Sequence, residues 1–158
     1  MNILVVDDSL LQRRFVCRVL DKRSDKYQII EANDGLEAIE AIKTGNKFDL
    51  IITDYNMPKM NGLEMIKTIR ADQDLPEIPI IIISAEVSKV NMLEAIEAGA
   101  NMEILKPFTE NDLNKSIDYV MDIEDIDNSE TELEELKKRI RDLEIENEAL
   151  KKKLEKAP

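Results

Sequence analysis

The chain alternates short apolar runs with longer stretches in which apolar residues recur every three or four positions. The runs are Ile3–Val6, Tyr27–Ile30, Leu50–Thr53, Ile80–Ser84 and Met102–Leu105. Several are apolar throughout, which is how parallel strands read when helices cover both faces of their sheet. Helical periodicity predicts helices over Leu10–Leu20, Gly35–Ile42, Leu63–Arg70, Val90–Ala98 and Asp112–Met121. Five β units alternating with five α units predict an α/β fold built on a doubly wound five-stranded parallel sheet. Right-handed crossovers then bring every strand C-terminus to one edge, where sites form in such folds.

Further along, the pattern changes. All four glycines (Gly35, Gly45, Gly62, Gly99) lie in the first hundred residues, and no Gly or Pro occurs from Thr109 to Ala157. The C-terminal part therefore reads as helical. Leu133, Leu136, Ile140, Leu143, Asn147, Leu150 and Leu154 recur at alternating spacings of three and four. That places Leu133, Ile140, Asn147 and Leu154 at heptad position a, and Leu136, Leu143 and Leu150 at d. A lone Asn at a fits an in-register parallel dimer, where it meets its twin. In that arrangement the g-to-e pairs between chains are Glu132–Lys137, Arg139–Glu144 and Glu146–Lys151, all opposite in sign. Such pairs select register more than they add stability. Ile145, at the outward f position, does not fit this seam. The competing reading is one amphipathic helix folded back on the globular part.

The expected organisation is a globular domain over residues 1–122, a junction over 123–128 and a parallel coiled-coil homodimer over 129–158. Ser129-Glu130-Thr131-Glu132 has the spacing of a capping box, which would start a new helix. Nothing in 123–128 must break the fifth helix, however, and a continuous helix is the preferred reading.

The formal net charge is −12. From Ser129 onward 9 acidic and 8 basic residues nearly cancel, leaving −11 on the globular part. Such a surface repels nucleic acid and anionic lipid, so neither nucleic acid nor membrane is an expected direct partner. Cys17 is the one cysteine and sits in an apolar helical pattern, which reads as packing. With no histidine in the chain, no Ser-His or Cys-His catalytic pair can form within it. The opening run Ile3–Val6 is too short for a signal peptide or a membrane span. A cytoplasmic protein is expected.

Chemistry concentrates where the apolar runs end. Asp7 and Asp8 follow the first run, Asp54 the third and Lys106 the fifth, while Ser84 ends the fourth. Singly, each reads as a loop or cap residue. Together they put three carboxylates, a hydroxyl and an ammonium at one sheet edge. Two carboxylates about 4 Å apart repel by about 4 kcal/mol at an intermediate dielectric, a penalty that a hard divalent cation removes. Few carboxylates, a carbonyl, waters and a phosphate oxygen suit Mg²⁺ better than Ca²⁺. Without histidine or paired cysteine, zinc is not expected. A carboxylate beside Mg²⁺ can attack a phosphoryl group, with the metal and Lys106 stabilising the transferring oxygens and Ser84 bonding the product.

Leu4-Val5-Val6-Asp7-Asp8, Asp54-Tyr55-Asn56-Met57-Pro58-Lys59-Met60-Asn61-Gly62, Ile83-Ser84-Ala85, Ala98-Gly99-Ala100 and Lys106-Pro107-Phe108 carry a resemblance. Over residues 1 to about 122 the chain closely resembles response-regulator receiver domains of bacterial chemotaxis and two-component signalling. The resemblance implies a flavodoxin-like receiver fold in which Asp54 accepts a phosphoryl group from a histidine kinase or phosphotransfer protein. It further implies that Asp7, Asp8, Asp54 and the backbone carbonyl of Asn56 hold Mg²⁺. By the same resemblance Ser84 stands where the family has Thr or Ser, and Lys106 is the family's lysine. No other cofactor is expected. One position departs from the pattern. Where the family usually has Tyr or Phe, three residues before the lysine, this chain has Glu103, for which Lys89 or Lys115 are candidate partners.

The leading expectation is a dimeric signalling receiver, not an enzyme, whose coil relays its state to an output module absent from this chain. The layout is analogous to that of some diguanylate cyclases. Two alternatives remain. An aspartyl-nucleophile, Mg²⁺-dependent phosphohydrolase would need a second acidic residue two after the nucleophile, where this chain has Asn56. A passive coiled-coil adaptor would have no use for the full set Asp7, Asp8, Asp54, Ser84 and Lys106. The chain stops where the heptads stop, which fits a stand-alone regulator, an excised fragment or a fusion.

Overall fold

The computed structural model describes residues 1–24, 26–75, 77–85 and 89–122, with the side chains of 89–92 outside that description. The elements in order are β1 (Asn2–Val6), α1 (Leu10–Arg23), β2 (Gln28–Ala32), α2 (Gly35–Lys43), β3 (Leu50–Asp54), α3 (Gly62–Ala71), β4 (Ile80–Ser84), α4 (Lys89–Glu97) and β5 (Met102–Leu105). Residues 110–122 are also helical and form α5. The strands make one parallel sheet in the order β2-β1-β3-β4-β5.

All five expected strands and all five expected helices of the globular part are present, β4 and β5 with the expected ends and the others with shifted ones. β2 runs on to Ala32 because Glu31 and Ala32 continue the ladder opposite Val5 and Val6. α1 continues past Leu20 to Arg23, where Lys22 and Arg23 sit favourably at the negative end of the helix dipole. Helix starts follow their capping residues. Asp34 accepts the backbone N–H groups of Leu36 and Glu37 at the head of α2. Asn61 and Glu64 form a reciprocal capping box at the head of α3.

Side-chain alternation along the strands divides the core into two layers. Leu4, Val6, Ile51, Ile80 and Ile82 pack in one cluster with Ala38, Ile39 and Ile42 of α2, Met65, Ile66 and Ile69 of α3, and Ala95 of α4. The intervening residues Ile3, Val5, Leu50, Ile52, Ile81 and Ile83 are equally buried. Alternation turns them to the other face, where α1 buries Val16, Val19 and Leu20 and α5 buries Leu113, Ile117 and Val120. α1 and α5 are neighbours. Lys22 meets Glu110 at 2.7 Å, Arg23 pairs with Asp118, and the rings of Phe15 and Phe108 meet edge to face at 5.5 Å. The inner strands β1, β3 and β4 are covered on both faces, which explains why their sequences are almost continuously apolar, whereas the edge strands β2 and β5 carry exposed or partly exposed positions.

Residues Met1–Val120 form one compact unit. The expected junction at 123–128 and coiled coil at 129–158 lie outside the described residues. Among the described residues, no helix is long and apolar enough to cross a membrane.

Candidate functional site

The strand order reverses between β1 and β3, and in open parallel sheets the crevice beyond the strand C-termini at such a point is where ligands bind. Val6 pairs with Thr53, so Asp7 and Asp54 leave adjacent strands side by side. Carboxylate oxygens of Asp7, Asp8 and Asp54 all lie within 4.8 Å of one another. Asp7 and Asp54 are buried and Asp8 is exposed. Burial pushes the Asp7 carboxyl up to about 6, against the pull of the Ser9 N–H, and the charges of Asp54 and Asp8 add to the rise. The Ser9 N–H donates to Asp7 Oδ1 at 2.8 Å. Converging carboxylate oxygens at this spacing, with no nitrogen or sulfur ligand among them, fit a small hard divalent cation.

Asp54 is engaged from both sides. Lys106 Nζ pairs with its Oδ1, and the Asn56 N–H donates to its Oδ2 at 2.9 Å. Register explains how Lys106 arrives. Asp54 lies opposite Ile83, Ser84 opposite Leu105, and Lys106 is the next residue. The Lys106 N–H donates to Ser84 O at 2.8 Å, which carries the β4–β5 ladder one step past the strand. Ser84 itself is buried at the end of β4. All six residues singled out by sequence, Asp7, Asp8, Asp54, Asn56, Ser84 and Lys106, therefore stand at the same sheet edge.

Arg13 and Asp34 escaped the sequence reading, and the roles of Lys59 and Gly62 within the 54–62 motif were not assigned by it. Arg13, buried on α1, donates from Nη1 to Asp7 O at 2.6 Å and from Nε to Glu31 at 2.7 Å. A signal for it existed. Arg13 lies in line with Val16 and Leu20 on the apolar stripe of α1, where a charge needs a partner. Gly62 is required because a Cβ there would collide with the backbone carbonyl oxygen of Asp54. Its N–H donates to Tyr55 O at 2.9 Å, drawing α3 up under the site. Asp34 pairs at 2.6 Å with Lys59 of the β3–α3 loop, a contact that the 54–62 motif does not announce.

Glu103 lies on the edge strand β5. Among the described residues its Oε1 is buried without a hydrogen-bond partner, and burial holds its carboxyl above the ordinary range. No ion pair with Lys115 forms among the described residues, and the side chain of Lys89 lies outside them. Lys115 points into solvent from α5, whereas strand pairing of Glu103 with Ile82 keeps the glutamate close to the sheet.

Residues 3–118 match the family described as response regulator receiver domain. The chain is 42% identical over 123 residues to chemotaxis protein CheY-3 of Vibrio cholerae, covering 77% of this chain and 92% of that protein. It is 41% identical over 125 residues to chemotaxis protein CheY1 of Helicobacter pylori, covering 79% of this chain and all of that one. In structure it is similar to the chemotaxis response regulator CheY4 of Vibrio cholerae, with a TM-score of 0.68, 34% identity, and 75% and 97% of the two chains covered.

Proposed function

Because the chain belongs to the response regulator receiver family, we propose that it is a two-component regulator that receives a phosphoryl group on Asp54. The donor is a phosphohistidine on a histidine kinase or phosphotransfer protein, since this chain has no histidine of its own. The observation that carries the proposal is the convergence of Asp7, Asp8 and Asp54 within 4.8 Å, with Lys106 against Asp54.

In the proposed reaction an Asp54 carboxylate oxygen attacks the phosphorus. The P–N bond to the donor imidazole breaks, and a P–O bond forms to give an acyl phosphate. Asp7, Asp8, Asp54 and the Asn56 carbonyl would hold Mg²⁺, which when bound neutralises charge on the phosphoryl oxygens. Lys106 shifts from the Asp54 carboxylate to a phosphoryl oxygen, its ammonium following the negative charge. Ser84 donates its hydroxyl to the same group. Asp7 and Asp54 are buried, which keeps their charges from being screened by water and leaves metal and ammonium as the compensating partners.

The test is incubation with a small phosphodonor, followed by intact mass with and without chelator. Wild type should gain one phosphoryl group in Mg²⁺ only, and Asp54→Asn should gain none. Modification that persists in Asp54→Asn, or without metal, would refute the assignment.

The heptad pattern from Leu133 to Leu154 supports a second part of the proposal, a parallel homodimer in the cytoplasm whose coil passes the receiver's state to an output module.

A further inference from the structure

Beside the acidic cluster, the β3–α3 loop carries an arrangement that the chemistry above does not use. Asp34 is 1% exposed. Its Oδ1 accepts the N–H groups of Leu36 and Glu37, each at 3.0 Å. Its Oδ2 accepts Lys59 Nζ at 2.6 Å. Lys59 is the one non-glycine residue with positive φ, 62°, among the described residues. Across it the Met60 N–H donates to Pro58 O at 2.7 Å, closing a three-residue turn of the rare, strained kind. Glycine would adopt that conformation without steric cost. A lysine must be held in it, and its ammonium is anchored on a buried carboxylate.

A second fastening lies one residue away. The Gly35 N–H donates to Met60 O at 3.1 Å, and a Cβ on Gly35 would come within 2.7 Å of Met60 Cγ. The head of α2 thus grips the loop at Lys59 and Met60. From there the chain leads back three residues to Asn56, whose N–H rests on Asp54.

We propose that Asp34 and Lys59 are positioning residues whose ion pair fixes the loop presenting Asn56, and thereby sets the affinity of the acidic cluster for Mg²⁺. This rests on the reading that the cluster holds Mg²⁺. The sign of the effect separates positioning from simple charge. The Lys59 side chain is 59% exposed, and removing a nearby positive charge should by field alone tighten cation binding. Loss of positioning should weaken it.

The experiment is calorimetric Mg²⁺ titration of the full chain as wild type, Lys59→Met, Asp34→Asn and the double variant. Asn at position 34 preserves the helix cap, so the fold is retained. Each single variant should weaken Mg²⁺ by about tenfold, as loss of groups supporting metal ligands commonly does. The double variant should be no weaker than the worse single one, because both break one contact. In metal-free protein, hydrogen exchange at the Met60 and Gly35 amides should quicken in Lys59→Met while strand amides stay protected. Normal wild-type binding together with unchanged or tighter binding by Lys59→Met overturns the clamp alone, as does unchanged exchange at Met60. Absence of saturable Mg²⁺ binding in wild type would instead sink the metal reading beneath it.

Discussion

Asp7 shows how one side chain can set stability against function. Its carboxyl is pushed from 3.8 to about 6 by burial first and by neighbouring carboxylates after that. The folded protein therefore holds this proton more tightly than the unfolded chain does. Without metal, the stability linked to Asp7 is intact below about pH 4 and is lost as pH rises through about 6, a cost of up to about 3 kcal/mol at pH 7. Asp7→Asn should then raise the melting temperature of chelated protein at pH 7, and the two curves should converge near pH 4 in scanning calorimetry. Protons and cation compete for the same oxygens, so apparent Mg²⁺ affinity should fall as pH drops through about 6. Lys106 acts in the opposite sense. Its ammonium already neutralises Asp54, so Lys106→Ala should leave Mg²⁺ affinity intact or raise it, while impairing the structural response to phosphorylation. Titration calorimetry with and without a phosphate mimic separates the two effects. Glu103 has a buried carboxyl oxygen with no hydrogen-bond partner among the described residues. Glu103→Gln, which removes the charge at nearly constant shape, should stabilise the protein at pH 7 in urea denaturation.

At the scale of elements, the helices are placed by their first residues. α3 begins where Asn61 Oδ1 accepts the Glu64 N–H at 2.8 Å and Glu64 returns the bond to the Asn61 N–H at 3.1 Å. Asn61→Ala should cost about 1 kcal/mol in urea denaturation, the usual worth of such a cap. Gly62→Ala should cost more, because the added methyl meets the backbone of Asp54 rather than a side chain that can turn away. The strands were legible before their ends were. A run such as Ile80–Ser84 is apolar because both its faces are covered, and that local fact is written in the residues. The extra residues of β2, Glu31 and Ala32, carry no such mark. They are strand because β1 offers them partners.

For the whole molecule, two kinds of pattern divide the chain: parallel-sheet runs before residue 106, and heptads after 130. The segment 129–158 alone should sediment as a weak parallel dimer. Asn147→Leu should raise its stability while broadening its oligomer distribution, since the buried amide exchanges stability for register. A monomeric wild-type peptide at high concentration would count against the coil. The sequence by itself determined the fold and the shared edge of Asp7, Asp8, Asp54, Ser84 and Lys106. Apolar periodicity reports which faces are buried, and parallel topology then brings all strand C-termini together. Only the tertiary structure decided which atoms meet there. Lys106 reaches Asp54 across 52 positions of sequence, and Lys59 reaches Asp34 across 25. Such contacts depend on sheet register and loop conformation, which arise from packing between distant segments and leave no period in either one.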